Sequence, residues 1–261
     1  MTEPIQISSR DNPLLVRLRK LTRSPGDYRK LGAVWLEGEH LCTALRMRGH
    51  AATQAVISET GWQSPALSEL ARWAPSVVRV PDALFASISG LGSPAKIGFV
   101  FDPPAAPRIR ADVATVVLDR VQDAGNVGSI LRSAAAMGFT QILALVGSAA
   151  LWSPKVLRAG MGAHFALDLV EGVAQADLAA LSVPLLAGSS HASTSLDAAA
   201  VSHPCAWVFG HEGQGVAPSV LARCQHTLRI PQPGGEESLN VAAAAAICLY
   251  ATRRCGAAAG R

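Results

Sequence analysis

The sequence predicts an α/β protein of two domains, the second built on a mostly parallel sheet. Three observations carry this. Short, nearly continuous apolar segments alternate with segments of helical periodicity along most of the chain, the pattern of strands covered by helices on both faces. The stretch Asp102-Pro103-Pro104-Ala105-Ala106-Pro107 holds three prolines in six residues. They fix φ and remove three amide donors, so no helix or central strand runs through it. Finally, the chain has 261 residues, 49% of them apolar, which suits one large domain or two of ordinary size. The predicted domains are residues 1–103 and 111–261, joined by a Pro-rich linker at 104–110.

The first domain opens with a helix after Asn12-Pro13, where Asn caps and Pro suits the first turn, and where Leu14, Leu15, Leu18 and Leu21 recur at helical spacing. Strands are then expected at Ala33 to Leu36, Gln54 to Ser58, Val77 to Val80 and Ile97 to Phe101. Helices between them are expected over His40 to Arg48, near Ala66 to Trp73, and after Pro81-Asp82. Beyond the linker the apolar runs Val113 to Leu118, Ile142 to Val146, Ala166 to Val170, Val183 to Ala187, Trp207 to Phe209 and Leu228 to Ile230 read as strands. Val127 to Met137 reads as a helix stopped by Gly138, and an Ala-rich helix from about Ser238 to Thr252 closes the chain.

Charge is unevenly placed. Residues 1–110 carry fourteen Lys and Arg against nine Asp and Glu, whereas residues 111–261 carry nine against ten. Within the first thirty residues, Arg10, Arg17, Arg19, Lys20, Arg23, Arg29 and Lys30 face only Glu3, Asp11 and Asp27. A basic segment on a near-neutral body is the electrostatic footprint of a phosphate-backbone binder, although a solvated amphipathic helix has the same composition. The longest apolar run, Val241 to Ala251, has eleven residues against the roughly 20 a bilayer requires. Met1-Thr2-Glu3-Pro4 lacks a basic flank and an apolar core, so neither a membrane span nor a secretion signal is expected. The five cysteines are odd in number and contain no C-x-x-C, which predicts reduced thiols in a cytoplasmic protein. His211-Glu212 begins like H-E-x-x-H, but Gly215 stands where the second His belongs, so no metal is expected.

Ligands of open α/β sheets sit outside the carboxyl ends of the strands, and three loops there are unusual. The first runs from Asp119 through Arg120, Val121, Gln122 and Asp123 to Asn126, Gly128 and Arg132. Taken alone it also fits an ordinary helix start, with Asn126 as N-cap and Arg132 on the surface. It is not a dinucleotide fingerprint: Gly125 and Gly128 do not make G-x-G-x-x-G, and Gly147-Ser148-Ala149-Ala150 follows the next strand where an acid is needed. A nicotinamide-dependent oxidoreductase is therefore disfavoured. The second loop, Gly210-His211-Glu212-Gly213-Gln214-Gly215, has three glycines in six residues, permitting positive φ and close approach of a ligand to the backbone. The third follows Leu228-Arg229-Ile230-Pro231 with Gly234-Gly235-Glu236-Glu237-Ser238-Leu239-Asn240-Val241. Ser238 suits an N-cap, but that leaves unexplained Asn240, a poor helix former beside five alanines.

Together the three loops resemble the sequence motifs of the SpoU/TrmH family of RNA ribose 2′-O-methyltransferases, within the SPOUT superfamily. The resemblance rests on Asp123, Asn126, Gly128, Ile130 and Arg132, on Gly210, Glu212, Gly213 and Gly215, and on Ile230-Pro231 with Ser238-Leu239-Asn240-Val241. It covers about residues 111–255. In front of it, Ser9-Arg10-Asp11-Asn12-Pro13 and Leu36-Glu37-Gly38-Glu39-His40-Leu41 look like that family's ribosomal-protein-like substrate-binding domain. Two positions depart from the family pattern: Gly160 stands where many relatives carry serine, and Ala124 where many carry proline.

The resemblance implies a catalytic domain with a trefoil knot, S-adenosylmethionine as cofactor, and a homodimer in which Arg132 reaches a site completed by the partner. It assigns Leu186, Gly188, Gly210, Ile230 and Leu239 to the cofactor, and Asn126, Arg132, Glu212, Ser238 and Asn240 to the acceptor side as catalytic residues. A guanidinium stays protonated in a protein, so Arg132 is expected to clamp a phosphate and stabilise charge on the 2′-oxygen. Glu212 is expected to fix Arg132 or a helix terminus. Arg10, Arg17, Arg19, Lys20 and Arg23 would then position structured RNA, large-subunit ribosomal RNA ahead of tRNA. The alternatives are the same reaction on tRNA, or a non-catalytic RNA-binding protein of ribosome assembly.

Overall fold

The computed structural model describes residues 3–105, 107–199, 201–234 and 238–258, with side chains placed through residue 254. Ala106 of the predicted linker, Gly235, Glu236 and Glu237 of the third loop, and the Cys255 side chain lie outside the described residues. The chain forms two compact units: Met1–Ala105 with Trp152–Phe165, and Ala106–Leu151 with Ala166–Arg261.

In the first unit the order is β1 (Ile5–Gln6), α1 (Pro13–Arg23), α2 (Asp27–Leu31), β2 (Val34–Glu37), α3 (Glu39–Met47), β3 (Gln54–Ser58), α4 (Glu59–Trp62), α5 (Pro65–Arg72), β4 (Val77–Val80), α6 (Asp82–Ile88) and β5 (Ile97–Phe101). The sheet runs β1-β4-β3-β5-β2, with β5 antiparallel to both its neighbours and the remaining pairs parallel. Asn12 caps α1 as its residue type predicts, its Oδ1 accepting from the Leu14 amide at 2.9 Å, and Pro13 fills the first helical position. Leu15, Leu18 and Leu21 form its buried face. Each such side chain contributes about 1.5–3 kcal/mol of hydrophobic stabilisation.

The second unit holds β6 (Thr115–Asp119), α7 (Ala124–Ala136) and β7 (Gln141–Leu145), before α8 (Pro154–Gly160) leaves it for the first unit. It continues with β8 (Asp168–Val173), β9 (Leu185–Gly188), β10 (Thr194–Ser195), β11 (Ala206–Gly210), α9 (Pro218–Leu221), β12 (His226–Arg229) and α10 (Val241–Ala258). Its sheet is parallel throughout, in the order β10-β12-β9-β11-β6-β7-β8. Val117, Leu143, Val170, Leu185, Ala187 and Val208 pack one side of it. Near the other helices, α10 packs on α7 and β11, where buried Trp207 donates its indole N–H to Thr252 Oγ1 at 2.8 Å.

The sequence-predicted boundaries need three corrections. Residues 152–165 group with the first unit, so the second is not continuous over 111–261. The cause is an aromatic cluster: Trp152 and Phe165 pack with Phe101, and Phe165 with His50. Hydrogen bonds join the same segment to the first unit, from His40 to the Met161 carbonyl, His50 to the Phe165 carbonyl and Arg158 to the Gly90 carbonyl. The linker expected at 104–110 is also tied down at its end. Buried Gln141 accepts from the Arg110 amide at 2.7 Å and donates to its carbonyl at 3.1 Å, while Arg110 pairs with Asp168 at 2.6 Å. Finally, the predicted strand at Ala166 to Val170 starts at Asp168, because Ala163–Ala166 forms a 3-10 turn. The short elements β1, α2, α4, α8, α9 and β10 were not expected from periodicity; pieces of two to seven residues draw their stability from tertiary packing.

Gly160 has a packing reason. A Cβ there would lie 2.5 Å from Cε1 of the His164 ring, itself 1% exposed. A serine there would displace that imidazole.

Candidate active site

Because the sheet is parallel, the carboxyl ends of β12, β9, β11 and β6 lie along one edge, with Gly210 beside Asp119, Val208 beside Ala187 and Leu228 beside Gly188. All three unusual loops leave from that edge.

The first loop turns directly into α7, which starts three residues earlier than predicted. Asp123, not Asn126, is the N-cap: its Oδ1 accepts from the Asn126 amide at 2.8 Å. Asn126 therefore lies in the first turn with its side chain released for other work. In the second loop, His211 and Gly215 bond back to back, amide to carbonyl, at 3.0 and 2.8 Å. The glycines serve this turn. A Cβ on Gly210 would fall 2.2 Å from the Gly215 carbonyl carbon and the Val216 nitrogen, and Gly215 has φ +67°. The close approach at Gly210 is to the loop's own backbone.

Glu212 projects from this turn onto the first loop. Its Oε1 accepts from the Asp123 amide and from Asn126 Nδ2, both at 3.1 Å, and its Oε2 accepts from the Gln122 amide at 3.3 Å. Asn126 Oδ1 in turn accepts from Asn240 Nδ2 at 2.9 Å. Asn240 closes the chain as the N-cap of α10, its Oδ1 accepting from the Ala242 and Ala243 amides at 2.9 and 3.3 Å. Ser238, which also suits a cap by residue type, is exposed and precedes the helix. One run of side-chain hydrogen bonds therefore links Glu212, Asn126 and Asn240 across the three loops. Burial raises the Glu212 pKa, but the bonds from the Asn126 amide and the Asp123 and Gln122 backbone outweigh it, and the carboxyl is held below its usual value.

Other predicted residues are placed as follows. Leu186 is buried within β9, Gly188 is half-buried at its end, Ile230 is half-buried just past β12, and Leu239 is 38% exposed. Gln232, two residues beyond Ile230, has a buried Oε1 with no hydrogen-bond partner among the described residues. Arg132 is exposed and has neither a hydrogen bond nor an ion pair among the described residues. It stands six positions after Asn126, about 9 Å along the helix and about 120° around it. Of the two partners expected for Glu212, the structure selects the helix terminus and not Arg132.

The five basic residues assigned to RNA, Arg10 ahead of α1 and four on it, are unequal. Arg17 donates to the Leu31 carbonyl at 2.8 Å and Arg19 to the Arg10 carbonyl at 2.7 Å, both side chains half-buried. Arg10, Lys20 and Arg23 are exposed.

Asp119 and Arg120 were quoted in the first loop but given no task. Asp119 is 0% exposed at the end of β6 and accepts from Arg120 Nε at 3.1 Å and the Ala217 amide at 2.6 Å. Arg120 has φ 59°, a left-handed conformation costing a non-glycine residue about 1–2 kcal/mol. The available signal was an acid directly after a continuous apolar strand, since a buried carboxylate must be paired.

The profile of the SpoU rRNA Methylase family matches residues 114–250 of this chain. An uncharacterized tRNA/rRNA methyltransferase of Synechocystis sp. is 31% identical, with 95% of this chain and 93% of that protein covered. The 23S rRNA (guanosine(2553)-2′-O)-methyltransferase of Bacillus subtilis is 29% identical over 95% of this chain and 99% of its own length. Among solved structures, the AdoMet-bound rRNA methyltransferase of Sinorhizobium meliloti superposes with a TM-score of 0.83 at 25% identity, covering 95% of this chain and 97% of that one.

Proposed function

This chain belongs to the SpoU rRNA methylase family, and from that premise we propose that it transfers a methyl group from S-adenosylmethionine to a ribose 2′-hydroxyl of large-subunit ribosomal RNA. The observation that carries the reading is the unbroken hydrogen-bond chain from Glu212 through Asn126 to Asn240, which unites three loops at one edge of a parallel sheet.

Residues between β12 and α10 fit the cofactor by their chemistry. Half-buried Ile230 and exposed Leu239 offer apolar surface, and Gln232 Oε1, buried with no partner among the described residues, suits an N–H donor such as an adenine or amino group provides. Backbone at Leu186, Gly188, Gly210, Ile230 and Leu239 would hold it. When bound, it supplies an electrophilic sulfonium methyl group.

The chain's own residues then align the acceptor and stabilise developing negative charge. A side-chain amide has two N–H donors. Asn126 gives one to Glu212 and Asn240 gives one to Asn126, which leaves one on each for the acceptor ribose, with the Ser238 hydroxyl nearby in sequence. Glu212 is a holder and not a base: a general base works best with a pKa near the operating pH, whereas this carboxyl is lowered and accepts three hydrogen bonds. Arg132 supplies positive charge. In this reading it does so in a homodimer, reaching a site that the partner completes. An exposed row of Gly125, Ser129, Arg132 and Ala136 on α7, and Ile247 and Tyr250 on α10, 41% and 55% exposed, support such an interface. A trefoil knot in the second unit belongs to the same family reading, as does a cytoplasmic location with the RNA.

The direct test supplies S-adenosylmethionine with a labelled methyl group and offers ribosomal RNA and tRNA separately. Label is expected in alkali-resistant dinucleotides of large-subunit RNA. Label in tRNA alone overturns the substrate, and no transfer to either overturns the activity.

The first unit is proposed as the RNA-positioning domain, with exposed Arg10, Lys20 and Arg23 contacting phosphates. Three such contacts predict that affinity falls about 20–40-fold between 50 and 200 mM salt. Replacing all three by alanine is expected to flatten that slope. A salt-independent affinity for the parent protein would remove the electrostatic assignment.

A further inference from the structure

We propose that Arg120, clamped by buried Asp119, is a positioning residue that holds the Glu212 turn in its cofactor-binding shape. The inference rests on the methyltransferase reading for what the turn binds, but the clasp itself is read from the geometry.

Arg120 Nη1 donates to Gln214 Oε1 at 3.0 Å, and Nη2 reaches the Gly215 carbonyl at 3.4 Å. Its Nε and Nη2 simultaneously face the two Asp119 oxygens at 3.1 and 3.4 Å. The second Asp119 oxygen accepts from the Ala217 amide at 2.6 Å. One buried carboxylate and one guanidinium therefore grip residues 214, 215 and 217, while Glu212 grips the first loop from the opposite end of the same turn. The turn is fastened on both sides to the segment that opens α7.

The local backbone is consistent with this purpose. A non-glycine residue keeps a left-handed φ of 59° only where its surroundings over-determine it, and such strain concentrates at functional sites. Room for the side chain comes from Gly147, where a Cβ would lie 3.1 Å from Arg120 Cγ. Neither Asp119 nor Arg120 reaches toward Asn126 or Asn240 in any hydrogen bond, so their effect on the site passes through the turn.

Arg120→Gly separates positioning from folding, because glycine accepts the left-handed conformation without strain while the clasp is lost. The relief of strain offsets only part of the cost of leaving buried Asp119 without its guanidinium, so the variant is expected to stay folded and to melt below the parent temperature. Amide exchange over residues 211–217, recorded without cofactor, is expected to accelerate at least about tenfold, the scale of one lost charge-assisted hydrogen bond. Calorimetric affinity for S-adenosylmethionine should weaken by a similar factor of about ten, with affinity for ribosomal RNA unchanged. Arg120→Lys retains the charge opposite Asp119 and should recover part of the loss. Unchanged exchange, or cofactor affinity within about twofold of the parent while the parent binds normally, overturns the proposal. A parent protein that binds no S-adenosylmethionine sinks the methyltransferase reading instead, and the exchange rates then decide the clasp by themselves.

Discussion

Arg132→Ala is expected to lower turnover by about 10²–10³-fold, the usual effect of removing one donor aimed at developing negative charge, while both substrates still bind. Exposed on α7 without a hydrogen bond or ion pair among the described residues, the side chain is no part of the fold's own bonding. Its removal should therefore change stability by no more than about 0.5 kcal/mol, so lost activity cannot be assigned to unfolding. Arg132→Lys keeps the charge but not the planar fork that matches phosphate and oxyanion geometry, and an intermediate rate is expected. Single-turnover methylation with saturating RNA and S-adenosylmethionine measures the chemical step. A variant that binds both and methylates at near the parental rate would refute the electrostatic role.

The second large effect is expected at Gly210. Its missing Cβ would sit 2.2 Å from backbone atoms of Gly215 and Val216, and backbone cannot swing aside as a side-chain end can. Gly210→Ala must push the turn off the end of β11, breaking the bridge between His211 and Gly215 and displacing Glu212 from the first loop. Overpacking of this kind costs about 1–3 kcal/mol, measured as a shift in the denaturant midpoint. Loss of the Glu212 contacts should also weaken S-adenosylmethionine binding severely. Gly213→Ala is the control within the same turn. Its Cβ would meet only the His211 ring at 3.9 Å, ordinary van der Waals contact, and near-parental stability and binding are expected. Equal damage from the two substitutions would show that close packing at Gly210 is not what shapes the turn.

Much of the site was legible because its residue types are poor choices for their local positions. Three glycines after a buried strand, and an asparagine beside a run of alanines, conflict with simple propensity. Asn240 shows how such a conflict resolves: it caps α10 and reaches Asn126 with the same side chain. The two caps that the sequence allowed as ordinary alternatives, Asn126 and Ser238, are not the ones formed: Asp123 and Asn240, three and two positions away, cap the helices. Cap-forming residue types stood at all four positions, and only the three-dimensional path of the chain selects among them. Arg120 escaped notice because its importance lies in residues 214 to 217, about a hundred positions distant.

The apolar runs determined the strands, and their uninterrupted burial determined a parallel sheet covered on both faces, because these depend on local patterning against water. The roles of the loop residues came from the family resemblance and not from this patterning. Tertiary structure alone decided that Trp152–Phe165 packs with the first unit, that Glu212 binds a helix terminus, and that Asp119 and Arg120 fasten the turn beside it. Each depends on partners far apart in the chain, where contact is set by how the sheet orders its strands and not by sequence spacing.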